Sequence, residues 1–278
     1  MLYPLANKVA IVTGAAGGLG RSLCDELLAR GTRVMATDID SNGLEELSRQ
    51  IDSSRLSTCV CDVTKYDSCT NVVEMTEKTF GGIDLLLNNA GVTHFNRFHE
   101  AEIKALNTVI DINLKGAVNI THACMNNIIE HEGFIVGLSS VAGFSPLYAR
   151  SAYSASKYGL AGLMETLRSE CYEYNVSVLS VFPGFIQTQD DNHESASSAD
   201  VNSSRTNGIA RPGQATATPG KTLQPEEAAA AIVNAIEKKK RVLHLGSLAK
   251  SAYWLHKISP WLYEKVMLRK ISMELKAV

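Results

Sequence analysis

The feature that most constrains this chain is a series of seven short apolar segments separated by longer stretches with helical periodicity. The segments are Val9–Val12, Arg33–Thr37, Ser57–Cys61, Asp84–Leu87, Phe134–Leu138, Ser177–Val181 and Arg241–Leu245. Helical patterns lie between them, as at Leu19–Arg30, Ser68–Phe80 and Tyr153–Glu173. Alternation of this kind predicts βαβ units and a parallel sheet. The segments are apolar throughout rather than at every second residue, which predicts strands covered by helices on both faces. The expected fold is therefore α/β, a doubly wound, mostly parallel sheet of seven strands. A length of 278 residues is within reach of one α/β unit, and 45% hydrophobic residues can fill its core. One domain is expected over residues 1–246, followed by an extension over 247–278, and no internal repeat is visible.

Two stretches break the rhythm. Residues 189–224 are rich in Ser, Ala, Asp, Asn, Thr, Gly and Pro, as in "SASSADVNSSRTNG", too polar to pack a core. They follow the sixth strand, and open α/β sheets bind ligands beyond the carboxyl ends of their strands. A substrate lid is expected there, with a tolerated insertion as the alternative. The extension holds Tyr253, Trp254, Trp261 and Tyr263 among Lys250, Lys257, Lys265, Arg269 and Lys270, and Pro260 should divide it into two helices. From Lys238 onward there are ten Lys and Arg against two acids, so this end carries +8 of a formal net charge of -2. Packing on a second subunit or on the core is the first reading of that surface. Peripheral contact with an anionic membrane is the second, and a cover over the substrate mouth the third.

The six cysteines show no C-x-x-C spacing and no neighbouring His cluster. They read as reduced structural thiols, with no metal site. The N-terminus leads into the first strand without room for a signal h-region, and no apolar run is long enough to span a bilayer. A cytoplasmic protein without a nucleic-acid partner is expected.

The segment "VAIVTGAAGGLG" ends the first strand and opens the first helix. Gly14, Gly18 and Gly20 let the backbone turn tightly and approach a pyrophosphate, whose charge meets the helix N-terminus; Leu19 lies in the same contact. The spacing is G-x-x-x-G-x-G rather than G-x-G-x-x-G. Asp38 follows the second strand, where a carboxylate accepts hydrogen bonds from the adenosine ribose. It would also repel the extra phosphate of NADP. At ~5 Å and an effective dielectric of ~20, each unit of phosphate charge costs about 3 kcal/mol before screening. No Arg or Lys stands at Gly17, Thr37 or Ile39 to offset this, so NAD is the expected cofactor. The competing reading makes Asp38 a helix cap. An NADP-linked carbonyl reductase would need Arg21 or Arg33 to swing in.

"SAYSASKYGLAGL" starts a helix and places Tyr153 and Lys157 at i and i+4, on one face. A free tyrosine has a pKa near 10, and lowering it about three units takes roughly 4 kcal/mol. A lysine ammonium ~4 Å away at a dielectric of ~20 supplies about that much. The pair is a workable proton-transfer device. Thirteen residues upstream, the fifth strand ends in Ser139-Ser140, placing a hydroxyl at the mouth of the same crevice.

With these residues in place the sequence resembles the short-chain dehydrogenase/reductase family, in its compact, Rossmann-like single-domain branch. The matching pieces are "TGAAGGLG", "CDV" with Asp62, "NNAG" at 88–91, "DINLKG" with Asn113, "GLSSVAG" with Ser140, "YSASK", and "PGFIQT" at 183–188. They occur in the family's order from residue 8 to about 190. Gly137 stands where the family often has Asn. The resemblance implies Tyr153 as acid/base, with Lys157 holding the nicotinamide ribose and lowering the tyrosine pKa. It implies that Ser140 orients the substrate oxygen and that Asn113 anchors a proton-relay water. Asp62 and Val63 would line the adenine. Asn89, Ala90 and Gly91 would support the adenosine, and Ile186 and Thr188 the carboxamide. The implied reaction is metal-independent hydride transfer between NAD and a secondary alcohol or ketone, with a lipophilic substrate among the readings. A homodimer or homotetramer is implied as well. A non-catalytic dinucleotide-binding scaffold is the reading from a different class, and the complete Asn113, Ser140, Tyr153 and Lys157 set argues against it.

Overall fold

The computed structural model describes residues 2–51, 53–187, 209–210 and 222–274. Seven strands form one sheet: β1 (Val9–Thr13), β2 (Arg33–Asp38), β3 (Leu56–Val60), β4 (Leu85–Asn88), β6 (Phe134–Leu138), β7 (Ser177–Pro183) and β9 (Val242–Leu245). Their order is β3-β2-β1-β4-β6-β7-β9, and every neighbouring pair is parallel. A separate antiparallel pair joins β5 (Thr93–His94) to β8 (Ile209–Ala210).

The two-residue period of a strand sends successive side chains to opposite faces. Ala10, Val12, Val34, Ala36, Leu85, Leu87, Phe134 and Val136 enter one core with α1 (Gly18–Ala29) and α7 (Pro225–Glu237). Ile11, Met35, Leu86, Ile135 and Val178 enter the other, against α3 (Tyr66–Phe80), α5 (Gly116–Glu130) and α6 (Ser151–Glu170). Because helices cover both faces, each position of β1, β4 and β6 is buried, which accounts for their unbroken apolar sequence. The remaining helices are α2 (Ser41–Gln50), α4 (Ile103–Ile110), α8 (Gly246–Ile258) and α9 (Pro260–Glu274). A π-helical turn, Asp111–Lys115, links α4 to α5.

Pro260 does separate two helices, and they treat their aromatics differently. Ala249 and Ala252 of α8 pack on Val141 and Phe144, with Tyr263 beside them. Tyr253 stacks near His244, ring centroids 4.3 Å apart, and the Tyr263 hydroxyl donates to Pro146 O at 3.2 Å. This face therefore buttresses the loop that follows Ser140. Trp254 and Trp261 point away, 61% and 67% exposed. Most of the expected lid, residues 189–208 and 211–221, lies outside the described residues, as does Thr188.

Candidate active site

Strand order reverses at β1, which has β2 on one side and β4 on the other. Connections leave in opposite directions there and open a crevice beyond the strand ends. Gly14 leaves β1 with φ of 66°, and a Cβ on it would stand 2.8 Å from Ala90 Cα. A Cβ on Gly20 would stand 2.1 Å from the Gly14 carbonyl oxygen. Glycine alone fits both positions. Helix α1 opens at Gly17 without a side-chain cap, leaving its first N–H groups and its positive end for an anion. Gly18 is its first residue, and Leu19 packs against the core below.

Asp38 closes β2 beside this turn. Its Oδ2 accepts from Ala16 N at 3.0 Å and its Oδ1 from Asp40 N at 3.1 Å. The cap of α2 is Asp40, whose Oδ1 accepts from Gly43 N at 3.0 Å. The helix-cap reading of Asp38 thus belongs to its neighbour. Arg21 is held by Ala16 O, Gly43 O, Gln50 and Glu46, and Arg33 by Phe80 O and Asn7 O. Asn89 ties the "NNAG" turn to the glycine turn, donating to Thr13 O at 2.9 Å and Gly14 O at 3.1 Å. Asp62 follows β3. Burial works to raise its pKa, but hydrogen bonds from Thr64 and the nearby Lys65 outweigh it and keep the carboxylate ionised. Val63 presents its carbonyl to Asn119. A bare helix start, a crowded glycine turn and a carboxylate at the tip of β2 fit the phosphate and ribose ends of a dinucleotide.

The residues expected to transfer the proton come from three elements. Tyr153 is on the first turn of α6, buried against Leu106, Val109 and Ala142. Ser140 caps the short 3-10 turn Val141–Gly143 after β6, its Oγ accepting from Ala142 N at 3.2 Å. Burial raises the Tyr153 pKa, while the Ser140 hydroxyl and the Arg150 charge pull it down; burial wins. Lys157 lies one helical turn on, its Nζ 5.8 Å from the Tyr153 ring centroid. It donates to Leu138 O at 2.7 Å, and burial pushes its pKa down to about 8. Two cations flank the tyrosine ring, Lys157 Nζ at 5.8 Å and Arg150 Cζ at 5.9 Å from its centroid. The i, i+4 spacing fixed a shared face but not where the ammonium points.

Asn113 sits in the π turn, fully buried. Its Oδ1 accepts from Val92 N at 2.8 Å, and its Nδ2 donates to Val92 O at 2.9 Å and Ser156 Oγ at 3.0 Å. Both amide hydrogens are used, so the side chain braces the post-"NNAG" segment against α6. A water placed by Asn113 would have to meet a carbonyl oxygen. Ile186 follows β7 and bridges to Leu223, with Gln187 N donating to Leu223 O at 2.9 Å.

Sequence reading missed two further residues of this region, Arg150 beside Tyr153 and His94 near Arg150. Arg150 precedes α6, with its Cζ 5.9 Å from the Tyr153 ring centroid. Its charge and its position three residues before the tyrosine were the only signals. His94, on β5, is 1% exposed and neither ring nitrogen has a partner among the described residues. Burial and the Arg150 charge lower its pKa, so the ring is neutral.

Comparison with known proteins agrees with this geometry. Residues 8–198 match the short chain dehydrogenase family. A 3-oxoacyl-(acyl-carrier-protein) reductase, FabG, of Thermotoga maritima is 34% identical over 187 residues, covering 66% of this chain and 76% of its own. Mouse dehydrogenase/reductase SDR family member 7B is 30% identical over 281 residues, covering 98% of this chain and 84% of its own. A short chain dehydrogenase from Burkholderia cenocepacia J2315, solved in complex with NADP, superposes with a TM-score of 0.78 at 24% identity, covering 96% of this chain and 99% of that one. With the family's motifs in order along the chain and its sheet and crevice in the structure, this protein belongs to the short-chain dehydrogenase/reductase family and is an oxidoreductase of that family.

Proposed function

We propose that this protein is an NAD-dependent oxidoreductase that interconverts a secondary alcohol and a ketone. The observation that carries the reading is the convergence of Ser140, Tyr153 and Lys157 at the carboxyl end of β6, one crevice away from the uncapped start of α1. When bound, the nicotinamide supplies or accepts a hydride at the carbinol carbon. The chain's part is proton management. The Ser140 hydroxyl orients the reacting oxygen, and Tyr153 gives that oxygen a proton during reduction or removes one during oxidation. Lys157, beside Gly91 and the end of β6, is placed to hold a ribose hydroxyl.

Gly14, Gly18, Leu19 and Gly20 would take the pyrophosphate, Asp38 the adenosine ribose, and Asp62, Val63, Asn89, Ala90 and Gly91 the adenosine surroundings. Ile186 would take the carboxamide. The preference for NAD is supported by the Asp38 carboxylate at the ribose end and by Arg21 and Arg33 being held elsewhere. The second reading, an NADP-linked reductase, draws on the Burkholderia dehydrogenase solved with NADP. Turnover with each dinucleotide separates them. For the chemistry itself, Tyr153→Phe should cut kcat at least about 100-fold while NADH still binds. A variant that keeps its turnover would overturn the role of Tyr153, and a cellular phenotype indifferent to the change would favour a scaffold.

A further inference from the structure

Arg150 carries a charge that has no counter-ion among the described residues. Its guanidinium is half-buried between the rings of Phe95 and Tyr153, at 5.5 and 5.9 Å from their centroids. Its side chain hydrogen-bonds to the Thr93 hydroxyl. Among the described residues it forms no ion pair, unlike Arg21, Arg30 and Arg97. Arg33 and Arg168, which also lack a carboxylate, spend their donors on backbone carbonyls. A guanidinium has five N–H donors in a planar fork, and one hydroxyl cannot satisfy them. The side chain is half-buried beside the Tyr153 ring, which brings the donors left over from Thr93 within reach of a ligand bound at that ring.

The segment around this side chain is clamped. Ala149, immediately before it, has φ of 55°, a left-handed conformation that costs an alanine about 1 kcal/mol. Its carbonyl accepts from Asn96 N at 3.0 Å, and Arg97 Nε donates to the Tyr148 hydroxyl at 2.7 Å. These bonds lock the stretch after β5 to the entry of α6. His94 adds no second charge, since it is neutral. The result is one fixed cation, ringed by Phe95 and Tyr153, at the edge of the proton-transfer group. Strain and an unpaired charge cost stability and persist where a ligand uses them.

We propose that Arg150 is the anion-recognition residue of the substrate pocket. The substrate is then an oxo- or hydroxy-acid, its carboxylate or phosphate a few bonds from the carbon that reacts beside Tyr153. The inference rests on the alcohol–ketone reading and narrows it. A planar fork matches both anions in bidentate fashion, and the apolar ring walls strengthen the pairing. The acid would thus supply the counter-ion that no described residue provides.

The test uses the full chain with NAD and three graded sets: α-, β- and γ-hydroxy acids, their methyl esters, and hydroxyalkyl phosphates with the matching neutral diols. For the best anion, wild-type kcat/KM should exceed that of its neutral counterpart by about 100-fold. In Arg150→Gln that ratio should fall to near one, and Arg150→Lys should restore part of it. NADH fluorescence shows whether each variant is folded, and the lysine variant carries the comparison if the glutamine one is not. The better of the acid and phosphate sets names the anion. Equal losses on acid and ester, with a shifted pH profile on the ester, would instead make Arg150 a positioning residue for Tyr153. A wild-type enzyme indifferent to substrate charge would also overturn the proposal. Failure of the broader reading looks different, because no alcohol in any set, charged or neutral, would then be turned over.

Discussion

Replacing Lys157 by Met should change how stability responds to pH, in a direction the structure dictates. Lys157 is buried, and burial alone lowers its pKa from 10.5 to about 8. In the unfolded chain the ammonium keeps its ordinary pKa, so between about pH 8 and 10.5 the unfolded state binds more protons than the folded one. Stability therefore rises with pH across that window. Below pH 8 the folded protein bears the whole cost of the buried charge, about 3 kcal/mol for a shift of this size. Lys157→Met removes that cost and also leaves Leu138 O without its donor, a loss of about 1–3 kcal/mol that does not depend on pH. The stability difference between variant and wild type thus isolates the lysine, because every other titrating group is common to both proteins. From pH 7 to pH 9.5 the advantage of the variant should shrink by about 2 kcal/mol, or roughly 4–8 °C in relative melting temperature. Urea titrations of both proteins at four pH values would measure it. A difference flat to within about 0.5 kcal/mol across the range would show that the ammonium is not desolvated as the structure has it.

Asp38→Asn keeps an acceptor for Ala16 N but removes the charge, and the ratio of kcat/KM for NADP over NAD should rise by about 100-fold; a wild type already faster with NADP would contradict the role given to Asp38. Trp254 and Trp261 are 61% and 67% exposed, so Trp254→Ser with Trp261→Ser should leave the melting temperature within about 2 °C while shifting light-scattering mass from dimer or tetramer toward monomer. Unchanged mass with lost binding to phosphatidylserine vesicles would assign that face to a membrane surface instead.

The sheet was legible because each strand's burial is written in its own residues. Departures at the ends have local causes. β4 is bounded at Leu85 rather than Asp84, whose carboxylate accepts from Lys8 and Val9 N while its backbone still bonds Val9 O and Phe134 N. The pair β5 and β8 left no trace in the pattern. Two residues on each side, more than a hundred apart in the chain, show no periodicity to read. The glycine turn, Asp38, Ser140 and Tyr153 were legible because turn chemistry and strand ends are local properties. Arg150 was not, because what distinguishes it is that no described carboxylate reaches it in three dimensions. The same holds for Lys157, whose bond to Leu138 O depends on how α6 is laid against β6.

What escaped the sequence is concentrated where the fold is locally least favourable. Lys157 is charged at neutral pH inside the protein, Ala149 is left-handed, Asn113 sits in a π turn, and Arg150 has no counter-ion among the described residues. The first two alone cost about 4 kcal/mol, against a typical total stability of about 5–15 kcal/mol. No single strand or helix could hold such a set. It persists because β4, β6 and α6 are over-determined by a core buried on both faces of the sheet, so that Tyr153, Lys157 and Arg150 can be kept in fixed relation. By that logic, core substitutions under β6 should damage turnover before they unfold the protein. Ile135→Val is the mild case, and it should lower kcat while the NADH-bound fold survives.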